Sequence, residues 1–428
     1  MAQREVWITG LGAMTSLGLS AKDSWDGWLA GRTGSAPLEG DPARAAGCGA
    51  AAQVQGFKEA KFIKNKKSLK IMTRPVCLGV AAASQAMDAA GLVLGQYDPE
   101  RIGLFVGAGQ AFAEHQEIQP ALLHSRDGAE VDLVRFGSEG VPMIHPLWLL
   151  RGLSNNVLGF VSLDYDIQGI NNNYANSGAS ASQAVSAGAD AILEDFADQA
   201  LVGGYDAALA SEALIGYGRL GLLASPELDA ASAHRPFDKE RAGFVPAEGA
   251  AFLLLEEAQH ARSRGATPWA KWSGGGLVMD GFAIADPDPQ GGGLRRAIRM
   301  ALDQAGLSAQ DIGAIFAHGA SSVRYDAIEA QVYRDLLGAR ASEVPITADK
   351  SAVGHTVAAS GAVSAVMAVQ ALHAQVIPPI ASLREVDPAC AGLRFVVGEP
   401  LPWRFEHALV CSAGVAGQAA AMILSRVG

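Results

Sequence analysis

The chain has 428 residues, 49% of them hydrophobic and 18% charged, with 50 glycines. That is enough for one large or two medium domains with a substantial core. A formal net charge of −11 excludes a nucleic-acid binder, which needs a broad basic face to neutralise phosphates.

Cys48, Cys77, Cys390 and Cys411 have neither CxxC nor metal-ligand spacing and read as buried, reduced thiols. No metal or nucleotide signature is present, so no cofactor is expected. Residues 1–10 lack an apolar signal region, which points to a cytoplasmic protein.

In chain order, Val6-Trp7-Ile8-Thr9-Gly10 is a short apolar run ending in glycine and predicts a buried strand. Ser20 caps a predicted helix over 21–29. Lys58, Lys61, Lys64, Lys66, Lys67, Lys70 and Arg74 then form a basic cluster. In an acidic chain it is either a solvated face or a dock for an acidic partner. A helix over 76–90, closed by Gly91, precedes a strand over 102–106.

That order recurs. Ala86-Met-Asp-Ala-Ala-Gly-Leu92 matches Ala301-Leu-Asp-Gln-Ala-Gly-Leu307 at an offset of 215 residues. Ser182-Gln-Ala-Val-Ser-Ala187 matches Ser360-Gly-Ala-Val-Ser-Ala365 at the shorter offset of 178, and an insertion at about 113–150 accounts for the difference. Two related α/β halves follow, 1–256 and 257–428.

Between them in interest stands 171–193. There an Asn/Gly/Ser-rich turn is predicted to run into a small-residue helix, with a second glycine turn at Val202-Gly203-Gly204. Free N–H groups at a helix N-terminus favour negative charge, and enzymes use such a turn to hold a nucleophile beside an oxyanion site. No Cys, His or Lys occupies this turn.

The charged loop 234–244 makes His234 read as solvated. His318 ends an apolar strand, and His355 lies at a turn before another small-residue helix. With Lys350, the pair is placed to converge on one pocket. The uncharged run 356–383 contains Pro378-Pro379 and predicts a buried helix plus a loop, not a membrane span.

Several segments carry a family resemblance. They are Val6-Trp-Ile-Thr-Gly-Leu-Gly12, Arg235-Pro-Phe-Asp-Lys-Glu-Arg-Ala-Gly-Phe244, Ala317-His-Gly-Ala-Ser-Ser322 and Asp349-Lys-Ser-Ala-Val-Gly-His355 with the following Ala358-Ala-Ser-Gly-Ala-Val363. Over nearly its whole length the chain resembles β-ketoacyl-acyl carrier protein synthases of the thiolase-like superfamily. The resemblance implies two pseudo-symmetric halves in an α-β-α-β-α layered fold. It also implies a helix-start Cys that attacks an acyl thioester, two histidines that assist malonyl decarboxylation, and a lysine that orders the site. His318, His355 and Lys350 match the supporting positions. The nucleophile position falls on Gly178, or on Ser177 after a one-residue shift, and neither is Cys. Val415 replaces the phenylalanine that gates the acyl pocket in the family.

Within that family the chain is most similar to chain-length factors (ketosynthase β subunits), which lack the cysteine and pair with a catalytic ketosynthase α subunit in type II polyketide synthesis. The resemblance therefore implies a heterodimer serving an acyl carrier protein, with no nucleic acid and no membrane. Phe112, Ile118 and Val415 are expected at the substrate tunnel or gate, and Lys67, Lys70 and Arg74 at a carrier-protein dock. Two alternatives remain: an enzyme with altered chemistry, and a homodimeric acyl-binding scaffold. The enzyme would decarboxylate malonyl units through His318 and His355, or use Ser177 or Ser180 as a nucleophile with a well-placed base.

Overall fold

The apolar run at the N-terminus forms β1 (Val6–Met14), buried along its whole length. A computed structural model describes residues 4–109 and 115–428. β1 sits inside an eleven-stranded sheet. Its other strands are β2 (Ile102–Ala108), β3 (Asn171–Tyr174), β4 (Gln199–Ala207), β5 (Glu248–Glu257) and β6 (Ala270–Met279). They continue with β7 (Ala314–Phe316), β8 (Pro345–Thr347), β9 (Arg394–Phe395), β10 (His407–Ala413) and β11 (Gln418–Ser425).

The spatial order is β9-β8-β7-β10-β11-β6-β1-β5-β4-β2-β3. Read outward from the β6–β1 seam, the two sides mirror one another. Strands beside the seam pair antiparallel, and the outer ones pair parallel. The seam itself is narrow, with Val6 opposite Trp272, Trp7 opposite Lys271 and Ile8 opposite Ala270.

Four helices complete the layers. α1 (Arg74–Ala89) covers β1, β5 and β4 from outside, and α3 (Gly292–Ala305) covers β6 and β11. Between the two half-sheets lie α2 (Ser180–Leu193) and α4 (Ser360–Ala374), each touching strands of both sides. This is the α-β-α-β-α arrangement that the resemblance implies. A helix that is apolar all round belongs in a core. The segment Val357–Ala374 is long and apolar enough to cross a membrane by length and composition, but 89% of it is buried inside the protein.

The first repeat holds at the level of backbone geometry. α1 and α3 each end at a left-handed glycine, Gly91 at φ 66° and Gly306 at φ 64°. The second is shifted. α2 and α4 each follow a single 3-10 turn, Ser177–Ala179 and Val357–Ala359. The first residue of each turn has positive φ, 50° at Ser177 and 39° at Val357. Ser180 is therefore the counterpart of Ser360, two residues before the sequence match with Ser182.

Of the two expected turns, the first is confined to the residues between Tyr174 and Ser180, and the second is a strand. Asn171–Tyr174 is the edge strand β3, with Asn171 and Asn172 exposed and Asn173 and Tyr174 half-buried. Val202-Gly203-Gly204 lies within β4. A Cβ at Gly203 would come within 2.2 Å of the Ala251 carbonyl oxygen, and one at Gly204 within 2.8 Å of Ala181 Cβ. These glycines admit a neighbouring strand and α2, not a chain reversal.

The central helices touch almost backbone to backbone. A Cβ at Gly361 would lie 2.1 Å from Ser182 Oγ and 2.8 Å from its backbone nitrogen. Gly361→Ala is expected to cost about 2 kcal/mol through overpacking, read as a lowered midpoint in urea unfolding with an unchanged m-value.

Candidate active site

The two strained turns and the ends of β7 and β10 meet at one cavity, lined by Ser177, Phe244, His318, Tyr325, His355 and Val415, among others. His318 follows β7. Its ring stands 5.3 Å from the ring of His355, at 78°. Tyr325 meets the other side of His318 edge-on at 5.3 Å, and Phe244 meets His355 at 5.0 Å.

The backbone at His318 is held by a buried carboxylate. Glu329 accepts hydrogen bonds from His318 N (2.7 Å), Gly319 N (2.9 Å) and the Tyr333 hydroxyl (2.5 Å). His318 Nδ1 accepts from Ala413 N at 3.2 Å. A neutral imidazole that accepts at Nδ1 carries its proton on Nε2, so His318 is a hydrogen-bond donor at that atom. His355 is pinned by its backbone, donating to Val245 O (2.9 Å) and accepting from Ala247 N (3.1 Å). Its Nδ1 has no hydrogen-bond partner.

His234 is not solvated. It is 1% exposed, accepts from Val245 N at Nδ1 (3.0 Å) and contacts Gly319 O through Nε2 (3.2 Å). It therefore fastens the strand segment that anchors His355 to the turn after His318. The run of charged neighbours misled, because Arg235, Asp238 and Arg241 are themselves buried and paired. Glu329 and His234 are the positioning groups that sequence reasoning missed. For Glu329, the available sign was a carboxylate on a helix shortly after the histidine strand.

Lys350 is fully buried, and its Nζ has no hydrogen-bond partner. The preceding Asp349 accepts from Ser364 Oγ at 2.7 Å. Burial first, and the Lys350 charge second, hold His318 and His355 well below the ordinary imidazole range. Burial also pushes His234 down to about 3. All three are neutral near pH 7.

The chain offers no thiol at the helix start, and the four cysteines are buried elsewhere. At Gly178 a Cβ would sit 2.0 Å from the Ala413 carbonyl oxygen, so that position is closed to any side chain. Ser177 instead faces the cavity, and its Oγ accepts from Val415 N at 3.3 Å. Among the tunnel candidates, Val415 lines the cavity, Ile118 is half-buried on the helix His115–His124 and does not line it, and Phe112 lies outside the described residues.

In the basic cluster, Lys67 and Lys70 are exposed on a 3-10 turn. Arg74 is committed to Glu248, at 2.8–3.1 Å, and to the Val54 carbonyl (2.8 Å). No group of three or more metal-ligating side chains occurs among the described residues.

The fold and the paired histidines place the chain among thiolase-like proteins. The family is then defined by direct matches: residues 3–261 to the β-ketoacyl synthase N-terminal domain and residues 269–384 to the C-terminal domain. This chain belongs to the β-ketoacyl synthase family. It is 30% identical to 3-oxoacyl-[acyl-carrier-protein] synthase 2 of Synechocystis sp., over 97% of each chain. It is also similar to a type II polyketide ketosynthase solved with its acyl-carrier protein and a bound hexaketide (27% identity, TM-score 0.87, covering 99% of this chain and 100% of that one). The ishigamide ketosynthase/chain length factor superposes with a TM-score of 0.86 at 29% identity, covering 100% of both chains.

Two measurements check the site. Gly178→Ala is expected to destabilise by about 2 kcal/mol through its clash with a backbone oxygen. Ser177→Ala, which gives up one long hydrogen bond, should cost under about 1 kcal/mol. Chemical denaturation compares the two.

The second concerns pH. A histidine that refuses a proton in the fold contributes stability above the unfolded pKa of about 6.5, and that contribution is lost as pH falls below it. Asp206, pushed up to about 6, and Asp326, pushed up to about 7, by burial, act in the opposite sense. They keep protons in the fold that the unfolded chain has released, so acidification toward the carboxylate range favours the fold through them. The specific readout is therefore NMR. The ring-proton shifts of His318 and His355 should stay fixed from about pH 7.5 to about pH 5.5, where an ordinary imidazole titrates.

Proposed function

We propose that this chain is the non-condensing, chain-length-setting partner of a catalytic ketosynthase in a type II polyketide system. The observation that carries the proposal is the turn before α2. Condensation in this family runs through an acyl-cysteine, and here the two candidate positions are Ser177 and a sterically closed Gly178. The likeness to a ketosynthase/chain length factor supports the reading.

The partner is a catalytic ketosynthase α subunit, and the exposed edge strand β3 is the natural place for a second sheet to continue this one. The segment before β3 leaves Leu133 at 78%, Val134 at 82% and Leu163 at 81% exposure, apolar surface that a partner would cover. Acyl carrier protein docks through Lys67 and Lys70, which are free to meet acidic groups. Arg74 serves the fold through Glu248. Val415, which lines the cavity, takes the gate position of the acyl tunnel.

Co-expression with a Cys-containing ketosynthase is expected to give a stable one-to-one complex, and the chain alone should form no condensed product from acyl- and malonyl-carrier protein. A homodimer that ignores the ketosynthase would instead identify an acyl-binding scaffold.

A second reading rests on the retained histidines. His318 donates from Nε2, and both rings are neutral and face one cavity. That pair suits polarising a malonyl thioester carbonyl as CO₂ leaves. If so, the purified chain releases CO₂ from malonyl-carrier protein, and His318→Ala lowers that rate at least about a hundredfold.

A further inference from the structure

A second chamber, of about 400 Å³, lies beside the histidine cavity. The two share Ser177, Tyr217, Val357, Val415, Ala416 and Gln418 as lining. Much of the remaining wall is made of small residues, Gly109, Ala207, Ala208 and Gly216 among them. Two of its groups are out of place in a pocket for a plain hydrocarbon. The first is the half-buried carboxylate of Asp206. Ala207 N donates to its Oδ1 at 2.8 Å and Ala358 N to its Oδ2 at 3.0 Å, and each oxygen keeps a further lone pair for another donor. Gly109 makes room for it, since a Cβ there would lie 2.0 Å from Asp206 Oδ1. Burial pushes this acid up to about 6, which leaves it ionised at neutral pH. Among the described residues, no lysine or arginine lines the chamber. The second group is Gln418, whose buried Oε1 has no hydrogen-bond partner. Buried charges are ordinarily paired and buried acceptors ordinarily satisfied, so both groups call for something from outside the chain.

We infer that this chamber receives the far end of an acyl chain that carries a protonated amine, in preference to a plain alkyl end. The chain passes the two histidines and crosses the shared wall at Val415, where a valine takes up less space than the phenylalanine that the family resemblance implies. Its ammonium brings three donors and one positive charge, and it meets the Asp206 carboxylate and the Gln418 carbonyl oxygen. Hydrogen bonds between ionised partners are the strong ones, and the enclosure of the chamber keeps water from replacing them. A methyl end would cover the same carboxylate and leave it without a partner.

The inference deepens the function proposed above by naming the class of chain, and it rests on that reading only for the acyl nature of the ligand. The two fail separately. The non-condensing role is judged from complex formation with a ketosynthase and from condensed product, whereas chain-end selectivity is judged from binding to this chain alone.

Two stable probes carry an amide where acyl-pantetheine has its thioester. One bears an 8-aminooctanoyl chain, and the other a nonanoyl chain with the same number of heavy atoms. Their binding to the full-length chain is measured by isothermal titration calorimetry at about pH 7.5, where the amine is protonated. The amino probe should bind at least about tenfold more tightly. Asp206→Asn should bring the two probes within about twofold of each other. Val415→Phe, which refills the passage between cavity and chamber, should abolish the preference in the same way. Equal binding by the wild type, tighter binding of the nonanoyl probe, no binding of either, or a preference that survives Asp206→Asn overturns the inference. The wild-type comparison decides the matter even if a variant fails to fold.

Discussion

The close approach of the two central helices is the constraint from which the site follows. Their leading turns lie back to back: Ser360 Oγ donates to the Gly178 carbonyl at 3.3 Å, and Ala358 N donates to the half-buried Asp206 at 3.0 Å. Only small residues permit this, as the clash a Cβ would meet at Gly361 shows. Beside this junction the first residue of each turn has positive φ, and the ends of β7 and β10 lie against the same cavity. Packing in the core thus decides where a reactive group is able to stand.

Around that cavity the electrostatics are arranged by burial more than by ion pairing. Lys350 is fully enclosed without a hydrogen-bond partner and depresses the basicity of the imidazoles it faces. Glu329 accepts from the consecutive N–H groups of His318 and Gly319 and so fixes the backbone that carries the ring. Two neutral rings held beside one cavity need little reorganisation when a carbonyl is polarised.

Much of this was legible in the amino acids. The helix Ala21–Leu29 starts where Ser20 predicts, with Ser20 Oγ accepting from Asp23 N at 3.0 Å. The segments around His318 and His355 identified the family, and their convergence came from the repeat. What was not legible has physical causes. Glycine pairs mark turns and close contacts alike, and only the neighbouring strand distinguishes them, as at Gly203-Gly204. A polar run reads as solvated unless its partners are known, as with His234 among Arg235, Asp238 and Arg241. The second repeat was matched two residues out of register because Ala and Ser recur along both helices, whereas the backbone strain at Ser177 and Val357 fixes the correspondence. The choice between Ser177 and Gly178 likewise needed the position of the Ala413 carbonyl, a group distant in the chain.

The seam between β1 and β6 carries a consequence for synthesis. β1 is made well before its neighbours, which are residues 250–257 on one side and Ala270–Trp272 on the other. A chain emerging from the ribosome must therefore carry a nine-residue buried strand without its lateral partners until residues 250–272 have been translated. Contacts so distant in sequence form slowly, and an apolar strand left waiting is prone to pair with the wrong neighbour. α1, which packs on β1 and follows it much sooner, is the element placed to shield it during that interval.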